Sequence, residues 1–182
     1  GGFDLLSAPA GSGAFANSGK EDARRLLIAL SAADGYDRIL LDLGAGVDGT
    51  TMMFAAAADE TILVMTPDPS ALTDAYAFTK LLHRADSSRL PLVLVNVALN
   101  ETEAQKSFDA LSATARAFLK CELTYLGGIP HDPKANEAVR RQCHLLTLYP
   151  QAAASRAIET VARALHDQMP QKPSPVLRAS IR

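Results

Sequence analysis

The residues best suited to chemistry lie in the stretch 36–46, YDRILLDLGAG. Ile39, Leu40 and Leu41 form a short apolar run that ends in Asp42. A run without polar alternation fits a strand buried on both faces. A carboxylate then stands where the strand gives way to a Gly-Ala-Gly loop. Ligands of open α/β sheets bind beyond the carboxyl ends of the strands. Asp42 is therefore placed to read a Mg²⁺ shell or a phosphate group, and Gly46 to bring a backbone N–H close to that group. The same residues also fit a turn that Asp42 caps and whose glycines relieve backbone strain. From these residues alone both readings stand open.

Other chemistries find less support. The segment GSGAFANSGK, residues 11–20, superficially resembles a phosphate-binding loop. That motif needs four residues between its glycines, then Lys, then Ser or Thr. Here five residues separate Gly13 from Gly19, Ala14 takes the place of the required glycine, and Glu21 follows Lys20. The segment fits a capping box better, with Ser18 capping the next helix and Glu21 reaching back. His83, His131, His144 and His166 share no local metal-ligand spacing, and Cys143 adjoins His144 rather than facing it. Arg140 and Arg141 fit a solvated helix face.

The totals narrow the class. With 182 residues, the chain is long enough for one domain with a core. A net charge of −2 implies no general attraction to nucleic acid or anionic lipid. The absence of Trp and scarcity of aromatics argue against base stacking, so direct nucleic-acid binding is not expected. Cys121 and Cys143 suit a reducing cytosol. No run has the length of a membrane span and no cationic-then-apolar leader is visible, so a cytoplasmic location is expected. The chain opens Gly-Gly without Met, which fits a fragment or a processed chain.

The elements that must position these residues alternate along the chain. A short strand is expected over 3–8 and an amphipathic helix over 21–33, with Ala23, Leu26, Leu27 and Leu30 on one stripe and Gly35 as its stop. After the Asp42 strand come a short Ala-rich helix over 50–58 and a buried strand over 60–66. A helix to about Arg84 follows, capped by Ser70, with Leu72, Ala75, Tyr76, Leu81 and Leu82 on its apolar face. The segment 90–98 is the most strand-like and carries Asn96 near its end. Asn100 and Glu103 form a capping box for a long helix to about Lys120. A last strand covers 121–129. Asp132 caps and Pro133 opens a short helix to about Gln142. An apolar connector covers 145–149, and a final helix runs over 151–167 with Ala154, Ile158, Val161 and Leu165 on one face. This alternation predicts an α/β fold, a mostly parallel sheet flanked by helices, with right-handed crossovers. No linker divides it: residues 1–168 are expected to form one domain and 169–182, with three prolines, a loose tail.

Four strings, DRILLDLGAG, ETILVMTPDPSALTDAYAFTKLL, LVLVNVA and YLGGIPHDPKANEAV, together resemble the MinD/ParA group of P-loop ATPases, most of all the FlhG/FleN branch that sets flagellar number and position. PSALTDAYAFTKLL is the most specific of the matching stretches, and the resemblance covers about residues 1–165. It implies an ATP-driven switch that dimerises with ATP and contacts a flagellar assembly or regulatory protein. The implied ligands are ATP or ADP with Mg²⁺. Asp42 would hold the Mg²⁺ through water and Gly46 would sense the terminal phosphate. Asn96 would face the adenine, and Pro130 and Asp132 would lie in the loop closing over the base. As lone polar residues at element ends, Asn96 and Asp132 also fit purely local roles. Relatives of MinD often carry a C-terminal membrane-binding helix. Here PVLRASIR gives only weak support to a peripheral contact with the inner membrane.

Two departures from the family pattern stand out. Leu43 replaces the usual Ser or Thr after the acidic residue. The family's N-terminal third, with its phosphate loop and lysines, has no counterpart in these residues, so the chain corresponds to an N-terminally truncated form. Two like charges about 4 Å apart repel by roughly 4 kcal/mol at a surface-like dielectric. Without a nest of N–H groups and lysine, Asp42 would face phosphate with little positive compensation. Calorimetric titration of the 182-residue polypeptide with Mg-ATP is accordingly expected to show no micromolar binding. Two other functions remain compatible with the same residues. One is a degenerate partner-binding module that docks through the helix around 71–82. The other is an ATP-dependent enzyme of the cobyrinic acid diamide synthase kind, for which no substrate-site signature is found.

Overall fold

The computed structural model describes residues 4–6 and 19–168. Its contacts fall into two compact units, one reaching Ala58 and one beginning at Asp59.

The first unit is helical. Helix α1 (Lys20–Ser31) and helix α2 (Gly49–Ala57) bury Ala23, Leu27 and Phe54 against one another, with Leu26, Leu41 and Met53 alongside. The apolar stripe read from the sequence is the one that packs. The entry to α1 differs from expectation. Gly19 occupies the capping position with no side-chain cap bond, and Glu21 pairs with Arg25 at 3.7 Å. Ser18 lies outside the described residues.

The expected strand ending at Asp42 is not formed. Residues 38–44 form no regular secondary structure and enter no ladder, and Ile39 and Leu40 are 44% and 85% exposed. A strand buried on both faces draws hydrogen bonds from neighbours on each side. No described residue supplies them to 39–42. Of the strand expected over 3–8, residues 4–6 are described and are not a strand; the others lie outside the described residues.

The second unit holds the sheet. Strands β1 (Ile62–Met65), β2 (Leu92–Ala98) and β3 (Thr124–Pro130) are parallel in the order β1-β2-β3. Leu92 pairs with Ile62 on one side and with Thr124 on the other. Parallel neighbours require long crossovers, supplied here by helix α3 (Pro69–Ala85) and helix α4 (Glu101–Leu119). The core gathers Val93 and Val95 of the central strand with Ala75 of α3 and Ala104, Leu111 and Ala115 of α4. Helices α5 (Pro133–Arg140), α6 (Leu145–Leu148) and α7 (Ala153–Gln168) complete the unit.

Several local readings are refined. Helix α3 begins two residues earlier than a Ser70 cap requires: Asp68 stands at the cap, Pro69 at the first position, and the Asp68 carboxylate accepts from the Thr66 hydroxyl at 2.7 Å. Leu81, expected in the core, is 36% exposed, while Thr79 is buried with its hydroxyl donating to the Ala75 carbonyl at 2.8 Å. That bond lets a polar residue face inward without an unsatisfied group. The capping box of α4 is present in altered form. Asn100 accepts from the Glu103 N–H at 3.0 Å, and Glu103 reaches back to the N–H of Leu99 at 2.6 Å. The connector over 145–149 contains the helical turn α6.

Strand β3 carries two consecutive glycines. A Cβ on Gly128 would lie 2.6 Å from Ala104 Cβ of α4, and one on Gly127, at φ +149°, would lie 2.8 Å from Val161 Cγ2 of α7. Successive strand positions point to opposite faces. Helix α4 therefore closes on one face of β3 and α7 on the other, each against bare backbone.

Candidate functional site

The carboxyl ends of β2 and β3 bring Asn96 close to Pro130 and Asp132, more than thirty residues further along the chain. Leu92 to Val95 are buried, and Asn96 ends that run half-buried, paired with Ile129. The register then slips between Asn96 and Ala98, where Ala98 pairs with Pro130. The slip is absorbed at Val97, whose φ of +61° is a strained conformation for a β-branched residue. It turns Val97 outward, 48% exposed, and Ala98 inward, 1% exposed. Asn96 Oδ1 accepts from the Val97 N–H at 3.0 Å. Its Nδ2 has no hydrogen bond among the described residues and remains a donor at the sheet edge.

From β3, the His131 N–H donates to the Ala98 carbonyl at 2.7 Å, fixing the strand end beside β2. Asp132 follows. One carboxylate oxygen accepts from the Lys134 N–H at 3.0 Å, capping α5, and the other from the Ala154 N–H at 3.2 Å, in the first turn of α7. These two N–H groups, the Lys134 one foremost, hold its carboxyl below the usual carboxylate range. Asp132 thus ties two helix N-termini to the loop after β3. The cap expected from the sequence is present, and the tether to α7 is an addition.

Asp42 and Gly46 belong to the first unit. Asp42 is exposed, with no hydrogen bond or ion pair among the described residues, so its carboxylate is open to a hydrated cation. Gly46 has φ +131°, and a Cβ there would meet only Asp48 Oδ2 at 3.9 Å, so backbone conformation rather than space requires glycine. Sequence reasoning passed over Asp48. Its carboxylate accepts from the N–H groups of Thr50 at 2.9 Å and Thr51 at 3.1 Å and from the Thr51 hydroxyl at 2.6 Å. The hydroxyl contributes most to holding that carboxyl below its ordinary range. An Asp placed immediately before Gly-Thr-Thr and an apolar run was the available signal. The structure therefore brings Asn96, Pro130 and Asp132 to one edge, and Asp42 and Gly46 to one loop of the other unit.

A second cluster also went unread. Glu137 of α5 bonds Lys134 at 3.0 Å and Arg141 at 2.6 Å, and the Lys134 ammonium lies 4.5 Å from the Tyr149 ring centre. The nearby Tyr149 hydroxyl, ahead of Lys134, is the largest of several causes that lower the Glu137 carboxyl to about 2. A depressed carboxylate stabilises the fold above its unfolded value near 4.5 and loses that contribution as pH falls through about 2. The wild type is expected to melt above Glu137→Gln at pH 6. The gap should close as pH is lowered from 4.5 toward 2, as read by circular dichroism.

No protein-family model matches the chain. Its fold is that of the cell division ATPase MinD of Pyrococcus furiosus, with a TM-score of 0.65 over 82% of this chain and 60% of that one, at 22% identity. In sequence it is 31% identical to the antiactivator FleN of Pseudomonas aeruginosa over 96% of its length. It is 32% identical to the flagellum site-determining protein YlxH of Helicobacter pylori over 81%. The chain spans 62% of FleN and 50% of YlxH. Fold and sequence together assign it to the MinD/ParA group. Within that group it lies close to the flagellar FleN/FlhG proteins.

Proposed function

We propose that this protein is a MinD-type regulator of flagellar number or placement, switched by ATP and its hydrolysis to ADP. The observation that carries the reading is the similarity to FleN, which runs through nearly the whole chain. In this reading Asn96 reads the adenine edge through its open Nδ2, and Pro130 with the Asp132-tethered loop closes over the base. Asp42 holds hydrated Mg²⁺, and the N–H presented at Gly46 meets the terminal phosphate. The fit is chemical: an unpaired carboxylate suits a hydrated hard cation, and a free amide donor at a strand end suits a base edge. When bound, Mg-ATP supplies the phosphate whose presence or loss sets the switch. The protein works in the cytoplasm as a homodimer when ATP is bound. Its partner is a flagellar assembly or regulatory protein, and any membrane contact is peripheral. No described helix is long and apolar enough to cross a membrane.

The test is genetic and visual. Deleting the gene is expected to change the number or position of flagella counted by electron microscopy. Asp42→Ala in the full protein is expected to reproduce the deletion while the protein accumulates normally. Unaltered flagellation in the deletion strain would sink the reading.

A further inference from the structure

Among the described residues, three that are not glycine have a positive φ: Val97 at 61°, Lys120 at 58° and Gln142 at 53°. Lys120 closes α4, and Gln142 follows the end of α5. Helix ends are the ordinary place for a left-handed residue. Val97 differs on two counts, since it lies within β2 and branches at Cβ. Left-handed backbone is least favourable for such a side chain, whereas glycine adopts it freely. Strain of this kind persists only where the surrounding structure enforces it, and it gathers at ligand sites.

The local products of the strain are specific. Val97 and Ala98 of β2 oppose the single step from Ile129 to Pro130 of β3, which makes Val97 the extra residue of a bulge. The turn aims the Val97 N–H at Asn96 Oδ1, 3.0 Å away, and so fixes the amide whose Nδ2 stays open. It also leaves the isopropyl group of Val97 exposed next to that amide. A glycine would give the same turn and the same N–H without strain. What valine adds is a stiff, branched apolar surface. A hydrogen-bond donor with an apolar surface beside it matches a flat heteroaromatic ring, polar at its rim and apolar over its faces.

We propose that Val97 is the apolar contact for the face of the nucleotide base whose edge Asn96 reads. The strained backbone holds the isopropyl group and the amide in one fixed arrangement before the base arrives. The inference rests on the nucleotide reading above and adds to it a residue with a separate task. Asn96 orients the base, and Val97 supplies the surface that the ring covers. The phosphates take no part in this contact.

The test titrates the full protein with Mg-ATP and, separately, with Mg-tripolyphosphate, which carries no base. Wild type, Val97→Gly and Val97→Ile are compared, and each is melted. The glycine variant should bind Mg-ATP about tenfold more weakly, the loss expected when a half-exposed valine no longer gains cover. Its affinity for tripolyphosphate should not change. It should melt no lower than wild type, because glycine takes the turn without strain. The isoleucine variant, which keeps the branched surface, should bind Mg-ATP as the wild type does. Equal Mg-ATP affinity in wild type and glycine variant overturns the inference and leaves the nucleotide reading standing. A glycine variant that melts lower and loses both ligands together would make Val97 a structural residue and overturns it too. A wild type that binds no Mg-ATP removes the nucleotide reading itself, and the inference with it.

Discussion

Gly128→Ala is expected to destabilise the second unit by roughly 1–3 kcal/mol, the usual cost of adding a methyl to a filled core. The added carbon would sit 2.6 Å from Ala104 Cβ and 2.9 Å from both Glu101 Oε2 and the Tyr125 hydroxyl oxygen. Ala104 is fully buried, so α4 cannot yield by moving one flexible tip. The Tyr125 hydroxyl donates to Glu101 Oε1 at 2.8 Å and would have to shift with it. Urea unfolding should show a lower midpoint with an unchanged slope. An unmoved midpoint would show that α4 does not close on β3 as described.

Asp132→Ala should have the second large effect, and Asp132→Asn a much smaller one. Alanine removes both acceptors and leaves the Lys134 and Ala154 N–H groups without their shared partner. Asn retains an oxygen that can cap, and it ranks with Asp as a capping residue. The alanine variant should melt at lower temperature and exchange amide protons faster at the starts of α5 and α7. The stability supplied by the lowered Asp132 carboxyl is present above its ordinary value near 3.8 and fades as pH drops below it. The gap between wild type and alanine variant should therefore narrow in acid. On the proposed reading, in which Asp132 holds the loop that closes over the base, nucleotide affinity in the full protein should follow the same order. Equal losses in Asn and Ala variants would instead point to a direct need for its charge.

Much of this architecture was legible because its signals are local. The run LVLVNVA declared the buried central strand, and Asp132 before Pro133 declared the start of α5. Asn100 with Glu103 marked α4, although the back-reaching bond goes one residue earlier than the motif implies. What escaped depends on partners distant in sequence. The run at 39–41 has a strand's composition, but composition does not supply a neighbour for its hydrogen bonds. The left-handed turn at Val97 arises from the slip in pairing between β2 and β3, which no residue in LVLVNVA announces. The Lys134–Tyr149 contact needs the chain to double back after α5. Of the candidate site, the places of Asn96 and Pro130 at strand ends were readable, whereas Asp42 and Gly46 follow no strand. That Asp132 also grips α7, and that Asn96 keeps one amide hydrogen donor open, were not.

The bare backbone of β3 has a mechanical meaning. Elsewhere in a layered fold, interdigitated side chains separate helix from strand and soften any displacement. At Gly127 and Gly128 that cushion is missing on both sides, so a push on α7 reaches α4 through a single peptide plane. The strand there forms a thin septum between the two helices, so a displacement of one is expected to be passed to the other.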